Sequence, residues 1–256
     1  MFRSSKTRIA RQRLAAWIAG GLAAAIAGTA SAGEPPIRYD FDDLQGWRFA
    51  SAEGSPDAFV PRDGTLRLST RPQTRDRVRI ATLRPFGAAT YRWRVFVPAM
   101  GAGDQASIGA FLYRDDEHEF DFEIGYGTRD VRERLGAGEK ELVAYCTSQG
   151  NPESTSQVLI RRNRWHLLEL ELAPGGNGNH LVTWSINAQP VKRLQTAVGG
   201  DVRFTVRCSV ENLAFMGDHL PRRETYALFD FVEIEPMAGK NGPHGTENPP
   251  APRDAD

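Results

Sequence analysis

Glu119, Asp121 and Glu123 occupy alternate positions in the stretch from His118 to Gly127, and Phe120, Phe122 and Ile124 fill the gaps. Successive side chains on a β-strand point to opposite faces. Such a strand therefore carries a row of carboxylates on one face and an apolar surface on the other. The apolar face belongs in a core, which leaves the acids on the outside of a sheet. Like charges in a row oppose sheet formation, so the pattern points to chemistry. Glycoside hydrolysis needs two carboxyl groups, ~5–5.5 Å apart for retention of configuration and roughly 6.5–9.5 Å for inversion. The Cα atoms of Glu119 and Glu123 are about 13 Å apart at ~3.3 Å per residue. Long side chains leaning inward on a curved strand close that gap. Asp121 between them can hold one Glu by a hydrogen bond and raise the pKa of the other. One Glu then stays ionised as a nucleophile, and the other stays protonated as a general acid.

The elements that must position these acids read as β from Ile37 to Met237. Short runs of period two, among them 65–69, 91–97, 142–147, 167–172, 180–186, 204–210 and 228–234, alternate with clusters of Gly, Pro, Asn and Asp. Tyr91, Trp93, Val95 and Val97 share one face of their run, and Arg92, Arg94 and Phe96 share the other. Amphipathic helices are not evident, and the charged 129–140 segment reads as an irregular insertion beside the acid strand. Many short strands with regular turns predict an all-β antiparallel sandwich or barrel.

Residues 1–32 combine a basic leader, an apolar run from Leu14 to Ala27 and the small-residue site Ala30-Ser31-Ala32. That run is shorter than the roughly 20 residues of a membrane span, so a secretory signal peptide is expected. A periplasmic or secreted protein with no membrane span after processing follows. The expected domain covers 33–237. Residues 238–256, rich in Pro, Gly and charge, are expected to be a disordered tail. The chain has 32 basic and 32 acidic residues, a balance that gives nucleic acid no bulk electrostatic attraction. Cys146 and Cys208 are its two cysteines. In an exported chain they permit one disulfide, and their apolar neighbours equally permit a pair of buried thiols. His166 reads as a hydrogen-bonded structural residue. Neither it nor His118 forms a nucleophilic triad with Ser or Cys.

The motif Glu119-Phe-Asp121-Phe-Glu123 resembles the catalytic strand of glycoside hydrolase family 16, the laminarinase and lichenase group. Further segments resemble the family in order along 37–236: Asp63 to Leu68, Arg94 to Pro98, Leu142 to Gly150, Trp165-His166, Val182 to Asn187 and Phe229 to Val232. The resemblance implies a concanavalin A-like jelly-roll β-sandwich of two curved antiparallel sheets. It also implies a retaining mechanism on a β-1,3- or mixed-linked glucan or a related polysaccharide. Glu119 would be the nucleophile, Asp121 the assisting carboxylate and Glu123 the general acid/base. Arg94 would contact substrate or orient Glu119, and Tyr113, Tyr145 and Gln149 would bind sugar. No cofactor is required, although Asp230 matches a calcium ligand of some members. A monomer is expected. The chain departs from the family in a short Arg114 to His118 connection before the motif and in Glu211 to Phe215, which lacks the family's Trp. These departures keep open a non-catalytic carbohydrate-binding or cell-envelope protein on the same fold, and transglycosylation shares the hydrolase's covalent intermediate.

Overall fold

The computed structural model describes residues 34–237, apart from 52 and 56–58. The expected leader and the expected tail lie outside the described residues. Fifteen strands and one short helix follow in chain order: β1 Ile37–Tyr39, β2 Trp47–Phe49, β3 Phe59–Arg62, β4 Thr65–Thr70, β5 Arg77–Thr82, β6 Ala89–Val97, β7 Ala106–Asp115, β8 His118–Gly125, α1 Arg129–Leu135, β9 Glu141–Gln149, β10 Ser154–Arg161, β11 Arg164–Pro174, β12 Asn179–Ile186, β13 Gln189–Gly199, β14 Thr205–Asn212 and β15 Thr225–Pro236. Short turns set several of the pairings. Asp63 and Gly64 both have positive φ, 52° and 68°, which gives the β3–β4 hairpin the type I′ turn that suits strand twist.

Two antiparallel sheets result, as a jelly-roll sandwich. One runs β13-β12-β11-β6-β15-β4-β3, with β1 also paired to β15, and the other runs β10-β9-β8-β7-β14-β5-β2. The period-two patterns decide which side chains meet between them. Tyr91, Trp93, Leu66 and Phe229 from the first sheet, and Phe120, Phe122, Ile108 and Ile80 from the second, are wholly buried. Burial at about 25 cal/mol per Å² of apolar surface makes this layer the main source of stability.

The structure rules out the disulfide that the sequence permitted between Cys146 and Cys208 and bears out the other reading: both are free buried thiols. Cys146 aligns with Phe122, Phe122 with Ala110 and Ala110 with Cys208. The sulfurs thus sit three strands apart, about 14 Å at ~4.8 Å per strand, whereas a disulfide requires Cα atoms within about 7 Å. The 129–140 segment is also more ordered than its composition implies. It contains α1, stopped by Gly136 in the left-handed conformation. The buried Arg132 ties α1 down by donating to the carbonyls of Tyr126, Gly138 and Glu141 at 2.8–2.9 Å.

Candidate active site

On β8 the apolar Phe120, Phe122 and Ile124 enter the core, so Glu119, Asp121 and Glu123 stand together on the outer face of the seven-stranded sheet. The register extends that face into rows. Gln149, Glu119, Tyr113 and Thr205 form one row. Thr147, Asp121, Phe111 and Arg207 form the next. Tyr145, Glu123, Gly109, Ser209 and Arg79 form the third. Tyr113, Tyr145 and Gln149, predicted as sugar contacts, are thus brought beside the acids. Gln149 Nε2 donates to Asp121 Oδ2 at 3.2 Å. Gly109, next to Glu123, makes room for the neighbouring Ser209 side chain: a Cβ there would lie 2.3 Å from Ser209 Oγ.

The core holds this strand from below. Trp184 of the opposite sheet donates its indole N–H to the Asp121 carbonyl at 2.9 Å and meets Phe120 edge-on at 6.0 Å. Lys192, from the edge strand β13, lies 4.5 Å from the Trp184 ring. It donates to the carbonyls of Cys146, at 2.9 Å, and Ser154. At the Glu123 end of β8, Val143, Tyr145 and Met216 form a small second cluster on the outer face, covered by Val131 and Leu135 of α1 and by Leu213. The exposed Phe215 meets Tyr145 edge-on at 6.0 Å there. It supplies an aromatic surface from the segment that lacks the family's Trp.

Burial governs the charge state of the acids. It raises Glu119 to about 8, reinforced by the charge of Asp121 and opposed by Arg207. Burial also raises Asp121, against hydrogen bonds from Gln149 and Thr147 and the charge of Lys192. Glu123 is pushed well above the ordinary carboxylate range by burial, then by Asp121, Glu211 and Glu119. Three carboxyls at alternate positions, partly to wholly shielded from water, oppose one another's ionisation, so the group retains protons near neutrality and titrates as a unit.

Sequence reasoning did not single out a fourth carboxylate and its partners. Glu211 of β14 is buried on the same face, 2.6 Å from Arg77 Nε and 3.7 Å from Arg79 Nε. Their signal was present: Arg77 and Arg79 alternate with Val78 and Ile80, and Arg207 and Glu211 alternate with Val206, Cys208 and Val210. Lys192 carried no such signal, because its role depends on which strands become neighbours.

Arg94 is a correction. It lies on β6, in the other sheet, and faces outward there because Trp93 and Val95 fill the core. It pairs with Asp230 at 2.6 Å and its guanidinium lies 5.1 Å from the Trp165 ring, so the whole core separates it from Glu119. The same pair bears on calcium. Asp230 is committed to Arg94, and among the described residues no group of three His, Cys, Asp or Glu side chains is placed to hold an ion. His118 pairs with Asp115 at 2.6 Å. His166 is held by the Arg161 carbonyl at 2.8 Å and by Asn187 at 3.1 Å.

No protein-family model and no curated protein sequence matches this chain. Solved structures do. A prokaryotic β-1,3-1,4-glucanase (lichenase) from a mouse hindgut metagenome is 18% identical with a TM-score of 0.56, over 79% of this chain and 99% of that one. The catalytic domain of an endo-1,3-β-glucanase (laminarinase) from Thermotoga petrophila is 12% identical with a TM-score of 0.59, over 79% and 97%. The Crh5 transglycosylase is 15% identical with a TM-score of 0.59, over 79% and 84%. The chain has the family 16-like fold common to these lichenase, laminarinase and transglycosylase structures.

Proposed function

We propose that this chain is an exported glycoside hydrolase that cleaves a β-linked glucan or related polysaccharide with retention of configuration. The observation that carries the reading is the row Glu119, Asp121 and Glu123, half-buried to buried on one sheet face with every pKa raised, in a fold whose solved examples include a lichenase and a laminarinase. In the first step the Glu119 carboxylate bonds to the anomeric carbon while Glu123 gives its proton to the departing glycosidic oxygen. In the second, Glu123 takes a proton from water, whose oxygen displaces Glu119 and frees the sugar. A sugar hydroxyl in place of that water makes the same site a transglycosylase. Asp121, between them, raises Glu119 and Glu123 by its charge and so favours a protonated Glu123 at the start.

Release of reducing ends from β-1,3-, mixed-linked and other β-glycans tests the reading. Loss of a general acid or a nucleophile removes on the order of 10²–10⁴-fold in rate or more, so Glu119→Gln and Glu123→Gln should each fall at least a hundredfold. Wild-type protein that binds a glycan without cutting it, with binding unchanged in both variants, supports the non-catalytic alternative and removes the hydrolase.

A further inference from the structure

On one side of the acid row the outer sheet face is strongly basic. Beyond β7, the Asp121 row continues through Arg207 and Ala81 to Arg48. The Glu123 row reaches Arg79, and the next row pairs Glu211 with Arg77. Four guanidiniums thus share this face, and the two carboxylates that neighbour them, Glu211 and Glu53, both lie against Arg77. Glu211 engages Arg77 at 2.6 Å and lies 3.7 Å from Arg79, whose buried Nε makes no hydrogen bond. Arg207 has one long hydrogen bond, 3.4 Å to Thr205 Oγ1. Its guanidinium carbon lies over the Tyr113 ring, 3.7 Å from the centroid, which braces the group and leaves N–H donors free. Arg48 is exposed, and neither Arg48 nor Arg207 pairs with a carboxylate among the described residues.

Crowding of this kind has a cost. Arg207 is depressed first by burial, then by Arg79 and also by Arg48. The acid row offsets this only in part: Glu119 and Tyr113 oppose the depression of Arg207, while burial raises Glu119 and Glu123 and so weakens their counter-charge. A neutral glucan offers nothing to offset the repulsion. A planar guanidinium braced on an aromatic ring is, by contrast, well suited to a carboxylate or a sulfate ester.

We propose that the glycan bound across this face is anionic, with carboxylate or sulfate groups received by Arg207, Arg79 and Arg48 on the side formed by β14, β5 and β2. The proposal rests on the acid row being a glycan site and adds the substrate's charge. Arg207 is two strands from Asp121 and Arg48 is four, about 10 and 19 Å at ~4.8 Å per strand. Arg207 therefore meets a sugar close to the acids, and Arg48 meets one farther along the same side.

Calorimetric titration of the full chain at low salt tests this with three matched probes: a glucuronate-containing β-linked oligosaccharide, the same compound with its carboxyls reduced to alcohols, and a sulfated form of the reduced compound. At least one anionic probe should bind on the order of ten- to hundredfold more tightly than the reduced one, and the gap should narrow as salt rises. Whether the uronate or the sulfate gains more identifies the anion. Arg207→Gln and Arg48→Gln should each shrink the gap, and Arg207→Lys, which keeps the charge without the planar fork, should restore part of it. Should Arg207→Gln not fold, Arg48→Gln at its exposed site carries the test alone. Equal affinity for charged and reduced probes, or a gap that survives in the Gln variants, overturns the proposal. Glu119-dependent cleavage of neutral glucan with no anionic preference leaves the hydrolase standing and removes only this inference. Arginine-dependent selectivity without any cleavage does the reverse.

Discussion

Glu119→Gln should stabilise this protein, and the gain should grow with pH. Folding raises the Glu119 carboxyl from 4.5 to about 8, chiefly by burial. Below about pH 4.5 the group is protonated in both folded and unfolded chains and contributes nothing. Between 4.5 and about 8 the unfolded chain releases its proton while the folded chain retains it, so wild-type stability falls as pH rises. Above about 8 the loss is complete. A rise of this size corresponds to about 4–5 kcal/mol at ~1.36 kcal/mol per pH step. Glu119 is only partly shielded from water, and part of the rise comes from Asp121, which is itself held partly neutral. The expected gain at pH 8 is therefore about 2–4 kcal/mol, and at about 2–4 °C per kcal/mol for a domain of this size it is visible in a melting curve. Glutamine keeps the shape and polarity of the protonated acid, so little else changes. Urea unfolding of both proteins at pH 4.5, 6, 7 and 8, followed by tryptophan fluorescence, reads the difference. The curves should coincide at pH 4.5 and separate steadily toward pH 8. A constant gap, or a wild type more stable than the variant at pH 8, would refute the burial argument.

If the hydrolase reading holds, kcat/KM should still be rising with pH between about 6 and 8 as Glu119 ionises near 8; an optimum near pH 5 would contradict the raised Glu119. Asp76 gives the opposite stability profile to Glu119, because its hydrogen bond with Arg71 lowers it to about 2. Asp76→Asn should therefore be less stable than wild type above about pH 4 and indistinguishable from it below about pH 2, as followed by thermal melts. Gly109→Ala drives a methyl to 2.3 Å from Ser209 Oγ and 3.3 Å from Phe111. It should cost about 1–3 kcal/mol in urea unfolding, and Ser209→Ala in the same chain should recover part of that loss. Trp184→Phe keeps an aromatic ring but leaves the Asp121 carbonyl without its 2.9 Å donor. A loss of about 1–3 kcal/mol is expected, with any glycan-cleaving activity falling beyond what the drop in folded population explains.

What could be read from the sequence was the face each side chain takes, because strand alternation is a local rule. It placed Phe120 and Phe122 in the core and the acids outside, and it put Arg94 opposite Trp93. Which sheet a strand joins is decided by pairing across long stretches of chain, and there the sequence is silent. Arg94 was expected beside Glu119, and β6 instead lies in the other sheet between β11 and β15. Cys146 and Cys208 share an inward-facing row and remain three strands apart for the same reason. The helix α1 escaped notice because it is held by tertiary contacts. Arg132 and the apolar patch of Val143 and Tyr145 secure seven residues with little amphipathic pattern of their own.

The same structure explains how a sheet tolerates a row of acids. Like charges on adjacent outward positions would oppose pairing if all were ionised. Burial keeps Glu119 and Glu123 protonated into the neutral range, so the strand assembles with little of that repulsion. Their protonation would otherwise allow the acids to settle into alternative hydrogen bonds. Trp184 fixes the backbone at Asp121 from inside, and Gln149 fixes its carboxyl from the side. The repulsion is therefore deferred rather than absent: it returns as each proton leaves. A substrate that excludes more water makes the second and third ionisations harder still. That is the condition under which one carboxyl can attack while another, four residues away on the same strand face, keeps a proton to give.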